Sequence, residues 1–479
     1  MKAIASILLF AAPMLGAQPF DTAPPVAPPR PIVIAAPDVQ TLPNGLRVVV
    51  AQRKGLPLVT AELVIRSGTE TDPSQLSGLA DLTAGLLTKG TAKRSAPQIA
   101  NAAEALGGQL DSGAGWDRSY VVMTVTRPQL PAALALIAEV VREPRFAAAE
   151  LERARRLALD GLSVALRDPG TLAQLAADRS AFGTGTYGHS SRGTPASIAR
   201  IAREDIVALH ARFYRPDNAS LVFAGDIDPK DALSLAQSAL GSWKRPALPM
   251  PSARLDDTRA GKVAPVVIAM PGVGQAGVAM VAPTIARAAP DYYPGVVANT
   301  LLGGGYSSRL NLELRIRRGL TYGVSSRLDT RRNGGVWSIA AQTKNESVPE
   351  LVAVSMDEIK RVALAPAPAD EVEARKLAIV GSLSRRFETT EDLAGTIASL
   401  EANGIPVAEL TRAIDRISAV TPQQVVEFAQ AHWRDANLAL VVAGDATGFL
   451  DALRKAYPDL RVIPQADVDL DSPRLMKNF

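Results

Sequence analysis

Fourteen residues, Phe213-Tyr-Arg-Pro-Asp-Asn-Ala-Ser-Leu-Val-Phe-Ala-Gly-Asp226, return near the end of the chain as His432-Trp-Arg-Asp-Ala-Asn-Leu-Ala-Leu-Val-Val-Ala-Gly-Asp445, without a gap. Asn218 pairs with Asn437 and Asp226 with Asp445, each at an offset of 219 residues. A fainter match sets Gly78-Leu-Ala-Asp-Leu-Thr-Ala-Gly85 beside Gly295-Val-Val-Ala-Asn-Thr-Leu-Leu302 at an offset of 217, the same spacing within a small insertion or deletion. A repeat at one long spacing means a duplicated supersecondary plan, so the fold of one half constrains the other. In both strong copies an amphipathic helix, 204–213 or 423–432, leads through a turn into an apolar strand closed by Gly-Asp.

Within a half, Leu46 to Val50, Val59 to Ile65 and Tyr120 to Thr126 are β-branched, apolar runs that predict strands. Gln75 to Thr88, Ala132 to Val141 and Ala147 to Leu166 carry helical periodicity. Strands and helices mixed in this way predict an α+β class: two homologous halves, each an antiparallel-rich sheet with helices packed on one face. The expected boundaries are 38–243 and 262–479, joined by a Pro-rich, polar linker at 244–261.

Ahead of the first half, Met1 and Lys2 precede an apolar run that ends in Gly16 and Ala17, the pattern of a secretory signal peptide over 1–17. The run is too short to span a bilayer, and no later stretch approaches that length, so no integral membrane segment is expected after cleavage. Residues 18–37 are dense in Pro and Ala and predict an extended tether. Export, with the periplasm as destination, is therefore expected. The chain has no Cys, which excludes disulfides, thiolate metal sites and a lipidated cysteine anchor. A formal charge of only +4 over 479 residues does not imply nucleic acid. The basic run of Arg315, Arg317 and Arg318, with Arg331 and Arg332 beyond it, predicts mainly a solvated face.

Gly78-Leu-Ala-Asp-Leu-Thr-Ala-Gly-Leu-Leu-Thr-Lys-Gly-Thr91 resembles the zinc-site helix of the pitrilysin and insulinase family, roughly G-x-A-H-F-L-E-H-M-x-F-K-G-T. Gly78, Ala80, Leu87, Lys89, Gly90 and Thr91 keep the frame of that motif. Its chemistry needs two histidines four apart, so that both imidazoles share one helical face for zinc, with the intervening Glu as general base. Those positions here are Asp81, Ala84 and Gly85. The resemblance places a third ligand, a Glu, about 76 residues on, which lands on Gly161 within a run that matches the flanks of the family pattern. The chain's three histidines, His189, His210 and His432, stand outside any matching ligand frame, and packing or capping is the expected role of each. By the resemblance, this chain carries no metal or other cofactor, and zinc belongs to a partner.

The second half holds Leu301-Leu-Gly-Gly-Gly-Tyr-Ser-Ser-Arg-Leu-Asn-Leu-Glu-Leu-Arg-Ile-Arg-Arg-Gly-Leu-Thr-Tyr-Gly-Val324, similar to the family's L-G-x-G-x-x-S-R-L-x-x-x-L-R-x-x-x-G-L-x-Y-x-V. The resemblance makes Arg315 and Tyr322 a pair that reaches across to a zinc site and holds substrate there. On propensity alone, Arg315 is a cation complementing the end of a helix opened by Ser307 or Ser308 and stopped by Gly319, and Tyr322 is an ordinary strand residue. Gly303 to Gly305 are not followed by Gly-Lys-Ser/Thr, so a sharp turn is expected there and not a phosphate loop.

The resemblance runs from Thr41-Leu-Pro-Asn-Gly-Leu46 to the second Gly-Asp repeat. What it implies is a non-catalytic subunit of an exported zinc metallopeptidase. Such a subunit forms a heterodimer with a zinc-bearing sister that has an H-x-x-E-H motif, and contributes Arg315, Tyr322 and half of a chamber for a peptide substrate. The alternative is a peptide-binding or scaffold protein of the cell envelope with no peptidase partner. An active peptidase with an unrecognised site is the weakest reading.

Overall fold

The computed structural model describes residues 35–250, 263–433 and 438–477. The signal segment 1–17, most of the tether, the linker from 251 on and Asn437 lie outside the described residues.

Two six-stranded sheets repeat one plan. The first contains β1 (Asp38–Thr41), β2 (Arg47–Gln52), β3 (Leu58–Ile65), β4 (Leu110–Ala114), β5 (Ser119–Thr126) and β6 (Ala219–Gly225), in the order β1-β2-β6-β3-β5-β4. The second contains β7 (Val266–Ala269), β8 (Gln275–Thr284), β9 (Thr321–Thr330), β10 (Gly335–Lys344), β11 (Ala439–Gly444) and β12 (Arg461–Pro464), in the order β12-β7-β11-β8-β10-β9. β2, β6, β3, β5 and β4 correspond to β7, β11, β8, β10 and β9. Each copy has a single parallel pairing among these five, β2 with β6 and β7 with β11. The sixth strand differs: β1 joins β2 antiparallel from the N-terminal side, whereas β12 joins β7 parallel from the C-terminal side. The α+β class and the duplication are as expected.

The layering adds something to that expectation. One face of the first sheet packs on the helix Leu130–Arg142, through Leu134, Ile137 and Val141. Its other face is covered at β3 and β6 by the helix Thr390–Ala402, which belongs to the second half. In return the helix Pro169–Phe182 of the first half lies across β8 and β11 of the second. Leu172, Ala173, Ala176 and Ala177 meet Val266, Ile268, Ala279 and Val441 there in a separate apolar core. Small residues make the approach possible: a Cβ on Gly277 would sit 2.3 Å from the Pro169 carbonyl oxygen. Helices on both faces explain why β3 and β6 are buried almost without alternation, while β5 alternates buried and half-buried positions.

Charged residues also tie the halves together. Arg47 on β2 makes a two-pronged pair with Glu401 on the Thr390–Ala402 helix, at 2.8 and 3.0 Å, and Ser220 Oγ donates to the same carboxylate at 2.6 Å. Burial alone would raise the Glu401 pKa, but the Arg47 and Ser220 hydrogen bonds and the Arg47 charge outweigh it and leave it lowered. Arg332 donates to the carbonyls of Ala402 (2.8 Å), Arg66 (3.0 Å) and Asp117 (2.7 Å). Arg331 is buried, its guanidinium carbon 4.0 Å from the Trp116 ring centroid. These two arginines are therefore junction residues and not the solvated face that their spacing predicts. The carbonyls that satisfy Arg332 and the rings that cover Arg331 come from distant chain, which a local charge run cannot reveal.

Candidate functional site

The degenerate motif folds into the helix Leu79–Leu86 and a 3-10 turn, Leu87–Lys89. Its frame residues have structural duties. Gly78 enters the helix at φ +90°, where a Cβ would meet the Arg192 backbone at 3.0 Å. Asp72 caps the entry, accepting from Gly78 N at 2.8 Å and Ala80 N at 2.9 Å. Burial nevertheless drives the Asp72 pKa well above the carboxylate range. At the far end Gly90 has φ +134°, and Thr91 Oγ1 donates to Glu139 at 2.6 Å.

The three ligand positions and the general-base position do not act in this way. Asp81 is half-buried, its pKa raised by desolvation and only partly offset by Arg192. Ala84 is fully buried, and its carbonyl accepts from Ser112 on the edge strand β4 at 2.8 Å. Gly85 is half-buried and Gly161, on the adjacent helix Ala148–Ala165, is exposed; a Cβ at either would meet nothing within 4 Å. The structure thus brings all four positions to one helix pair and leaves them a single carboxylate. That donor set does not fit a zinc ion, which needs three protein ligands in a catalytic site. Among the described residues no group of three or more His, Asp or Glu side chains is arranged to hold a metal.

The histidines are separated and satisfied, as expected. His189 Nε2 donates to the Thr69 carbonyl at 2.9 Å, and burial above all holds its pKa down to about 4. His210 donates to the Val141 carbonyl at 2.8 Å and stacks on Tyr214. His432 bonds Asp291 at 2.6 Å.

Arg315 and Tyr322 do come together. The helix expected between Ser307 and Gly319 forms, and Gly319 stops it at φ +62°, but its core Asn311–Arg317 is wound as a π-helix. Arg318 N reaches five residues back to Glu313 O, at 3.2 Å. Widened turns of this kind recur at functional sites because they re-aim side chains. Leu310, Asn311 and Leu314 face inward, and Asn311 Nδ2 ties the helix to β9 by donating to the Val324 carbonyl at 2.7 Å. Arg315 projects outward, its Cζ 4.8 Å from the ring centroid of Tyr322. Tyr322 is 90% exposed at the start of edge strand β9. Its neighbours Arg317 and Arg318 are paired with Glu313 and Glu350. Arg315 has neither a hydrogen bond nor an ion pair among the described residues. Beside Tyr322 lies a cavity of about 830 Å³ whose wall includes Asp168, Thr171 and Gln174 of the first half's crossing helix.

A third residue was not singled out by the motif. Tyr306 lies 4.9 Å from Arg315 Cζ and is 65% exposed. The available signal was a lone aromatic after three glycines in a loop that has no apolar periodicity to satisfy.

A duplicated α+β fold with the frame of a zinc helix but not its ligands, and with an Arg and Tyr brought together on the surface of its other half, is that of a metallopeptidase without its metal site. The family model described as Insulinase (Peptidase family M16) matches residues 47–193, and the one described as Peptidase M16 inactive domain matches residues 200–379. The chain belongs to this pitrilysin/insulinase family, as an inactive member. It is 27% identical over 408 residues to an uncharacterized zinc protease of Mycobacterium tuberculosis, covering 84% of this chain and 92% of that protein. It is 24% identical over 315 residues to a non-peptidase homolog of Helicobacter pylori, covering 65% and 72%. The crystal structure of a peptidase M16 inactive domain from Pseudomonas fluorescens superposes with a TM-score of 0.79 at 27% identity, covering 86% of this chain and 98% of that one. Among the described residues no helix is long and apolar enough to cross a membrane.

Proposed function

We propose that this chain is the non-catalytic subunit of an exported zinc metallopeptidase, working as a heterodimer with a zinc-bearing sister that has an H-x-x-E-H motif. It supplies Arg315, Tyr322 and half of the substrate chamber. Zinc resides in the sister, whose site does the hydrolysis. The observation that carries this reading is the state of Arg315: a guanidinium with no hydrogen bond or ion pair among the described residues, beside a 90% exposed tyrosine, in a chain whose own ligand positions hold one carboxylate.

The chemistry expected of the pair is donation. The Arg315 N–H groups and the Tyr322 hydroxyl point hydrogen bonds at a peptide carbonyl and, as negative charge develops on that oxygen, bind it more tightly. Differential binding of this sort raises the rate without any bond to the chain itself. Export to the periplasm follows from the leader pattern at 1–17. The test is co-expression with the sister subunit and replacement by Arg315→Ala or Tyr322→Phe. Unchanged peptide hydrolysis by either complex sinks the proposal.

A second reading has an observation in its favour. Exposed Tyr306, Tyr322 and Ile316 around Arg315 form the kind of patch that anchors protein partners. In that case the chain is a peptide-binding or scaffold protein of the cell envelope. Pull-down from the native envelope separates the two, because only the first reading requires a zinc peptidase in the recovered complex.

A further inference from the structure

Tyr306 has no packing reason to be where it is. It belongs to no apolar core, and about two thirds of its surface is open. Its backbone, however, is pinned on both sides. Gly303 and Gly304 approach Ser326 N and Thr300 Cα so closely that a Cβ would sit 2.6 and 2.7 Å away. Next in the chain, Arg375 donates to Ser307 Oγ at 2.5 Å and to its carbonyl at 2.7 Å. Arg309 and Glu371 pair at 2.8 and 3.0 Å just beyond. A tightly held loop therefore presents one exposed ring, and the ring contact it makes is with the Arg315 guanidinium, at 4.9 Å. Tyr322 offers its ring to the same Cζ at 4.8 Å. Both distances are within cation–π range.

A guanidinium that meets aromatic rings does so through its π face and keeps its rim, where all five N–H donors lie in one plane, for hydrogen bonds. We propose that Tyr306 is a positioning residue for Arg315, holding the guanidinium so that it takes a peptide oxygen edge-on, in the guanidinium plane. This rests on the reading of Arg315 given above and names its ligand: the sp2 oxygen of a peptide, from either a main-chain carbonyl or a C-terminal carboxylate. A stacking ligand, such as an aromatic side chain, competes with two rings already in contact with the group. Ordering a long, rotamer-rich side chain before substrate arrives also reduces what binding must spend on ordering it.

The first measurement needs no activity. In the isolated chain labelled with 15N-arginine, the Arg315 Nε–Hε signal, assigned by its loss in Arg315→Lys, is expected at a ring-current-shifted position. Tyr306→Phe keeps that shift and Tyr306→Leu moves the signal towards that of a solvated arginine. A signal unmoved by Tyr306→Leu overturns the positioning role. The second measurement uses the complex with the sister subunit and two forms of one peptide, a free acid and its C-terminal amide. Tyr306→Leu is expected to raise KM about fivefold, with Tyr306→Phe near the parent value and no further loss when Tyr306→Leu is added to Arg315→Ala. An acid-only effect identifies a carboxylate as the ligand, and an equal effect on both forms identifies a main-chain carbonyl. If Arg315→Ala impairs the complex but Tyr306→Leu leaves KM unchanged, this inference falls while the function stands. If Arg315→Ala has no effect, the function falls, and the arginine signal alone decides whether Tyr306 orders the guanidinium.

Discussion

The helix Leu79–Leu86 and the segment from Gly303 to Tyr322 are the two places where this chain keeps a family pattern, and they keep opposite parts of it. In the first, the residues that shape the backbone remain: Gly78 at φ +90°, Ala80 N on the Asp72 cap, Thr91 on Glu139. What the ligand positions offer is one half-buried aspartate and two glycines, Gly85 on this helix and Gly161 on its neighbour, each with open space where a Cβ would go. In the second, the backbone is just as constrained, but its outward face carries a guanidinium in contact with two exposed tyrosine rings and with no hydrogen bond or ion pair among the described residues. Frame and chemistry are thus separable, because frame residues are held by contacts inside the fold and outward ones are not. A helix that has lost its ligands can stay folded as part of the scaffold.

The largest expected effect tests the functional side of this contrast. In the complex, Arg315→Ala lowers kcat/KM for peptide about 100-fold, the size seen when one preorganised donor to a developing oxyanion is removed. Tyr322→Phe costs less, about tenfold, since a neutral donor is worth roughly half a charged one. Changes of Asp81 to Asn or Gly161 to Ala in the same complex are expected to leave kcat/KM within about twofold, as surface changes away from the chemistry do. A large loss at Asp81 would break the comparison, since it would give the first region a chemical duty.

Next in size is the frame. Gly78→Ala forces an alanine to positive φ and brings its Cβ within 3.0 Å of the Arg192 backbone. Loss of about 2 kcal/mol is expected, read as a lowered midpoint in urea. A stable Gly78→Ala protein would mean that the helix entry is softer than its geometry implies.

Glu70, on the 3-10 turn packed beside the metal-motif helix, sharpens the contrast in another way. Its pKa is pushed up to about 8, first by burial and then by Asp117, against the pull of Arg332 and the Gly68 N–H. A perturbed carboxyl in a cleft is a common mark of catalysis. Here it accepts a 2.7 Å hydrogen bond from Gly68 N, within its own turn, and lies 3.7 Å from the junction residue Arg332. The folded state keeps this proton after the unfolded chain has lost it, so the unfolded state binds fewer protons between the two pKa values. Stability is therefore greatest below the ordinary glutamate pKa, near 4, and falls as pH rises to about 8. Glu70→Gln should flatten that part of a thermal-melting profile and leave activity in the complex unchanged; lost activity would make Glu70 part of the chemistry.

How far these regions were legible differs by the range of the forces involved. The duplication shows in Asn218 and Asp226 recurring at one offset, and the missing ligands show because Asp81, Ala84 and Gly85 lie within one helical turn of each other. Comparing residues at a fixed spacing carries both, without reference to packing. The crossing of the helices Pro169–Phe182 and Thr390–Ala402 onto each other's sheets does not show, since an apolar helix face carries no mark of which sheet it will cover. Arg331 looks like surface charge until Trp116 and Tyr187 are folded against it, at 4.0 and 4.7 Å. Tyr306 and Arg315 are nine positions apart, and only the wound-out π turn and the glycine loop bring ring and guanidinium together. Each miss is a contact made by distant chain or by backbone geometry that propensity does not encode.

The smallest expected effect bears most directly on whether ligand positions have become free. Gly85 and Gly161 are in helices, neither is at positive φ, and a methyl group at either meets no atom within 4 Å. If nothing but past chemistry set those positions, alanine should be better there than glycine, because it restricts the unfolded chain and suits the helix. Gly161→Ala, on an exposed helix, is expected to add about 0.5–1 kcal/mol, and the half-buried Gly85→Ala somewhat less. Both gains are readable as a raised urea midpoint with unchanged slope. The contrast with Gly78→Ala, one substitution type with opposite sign seven residues away, is what separates a frame glycine from a vacated one. A loss at Gly85 comparable to that at Gly78 would mean that the position is part of the frame after all, and that the backbone of the motif helix, in addition to its cap, depends on it.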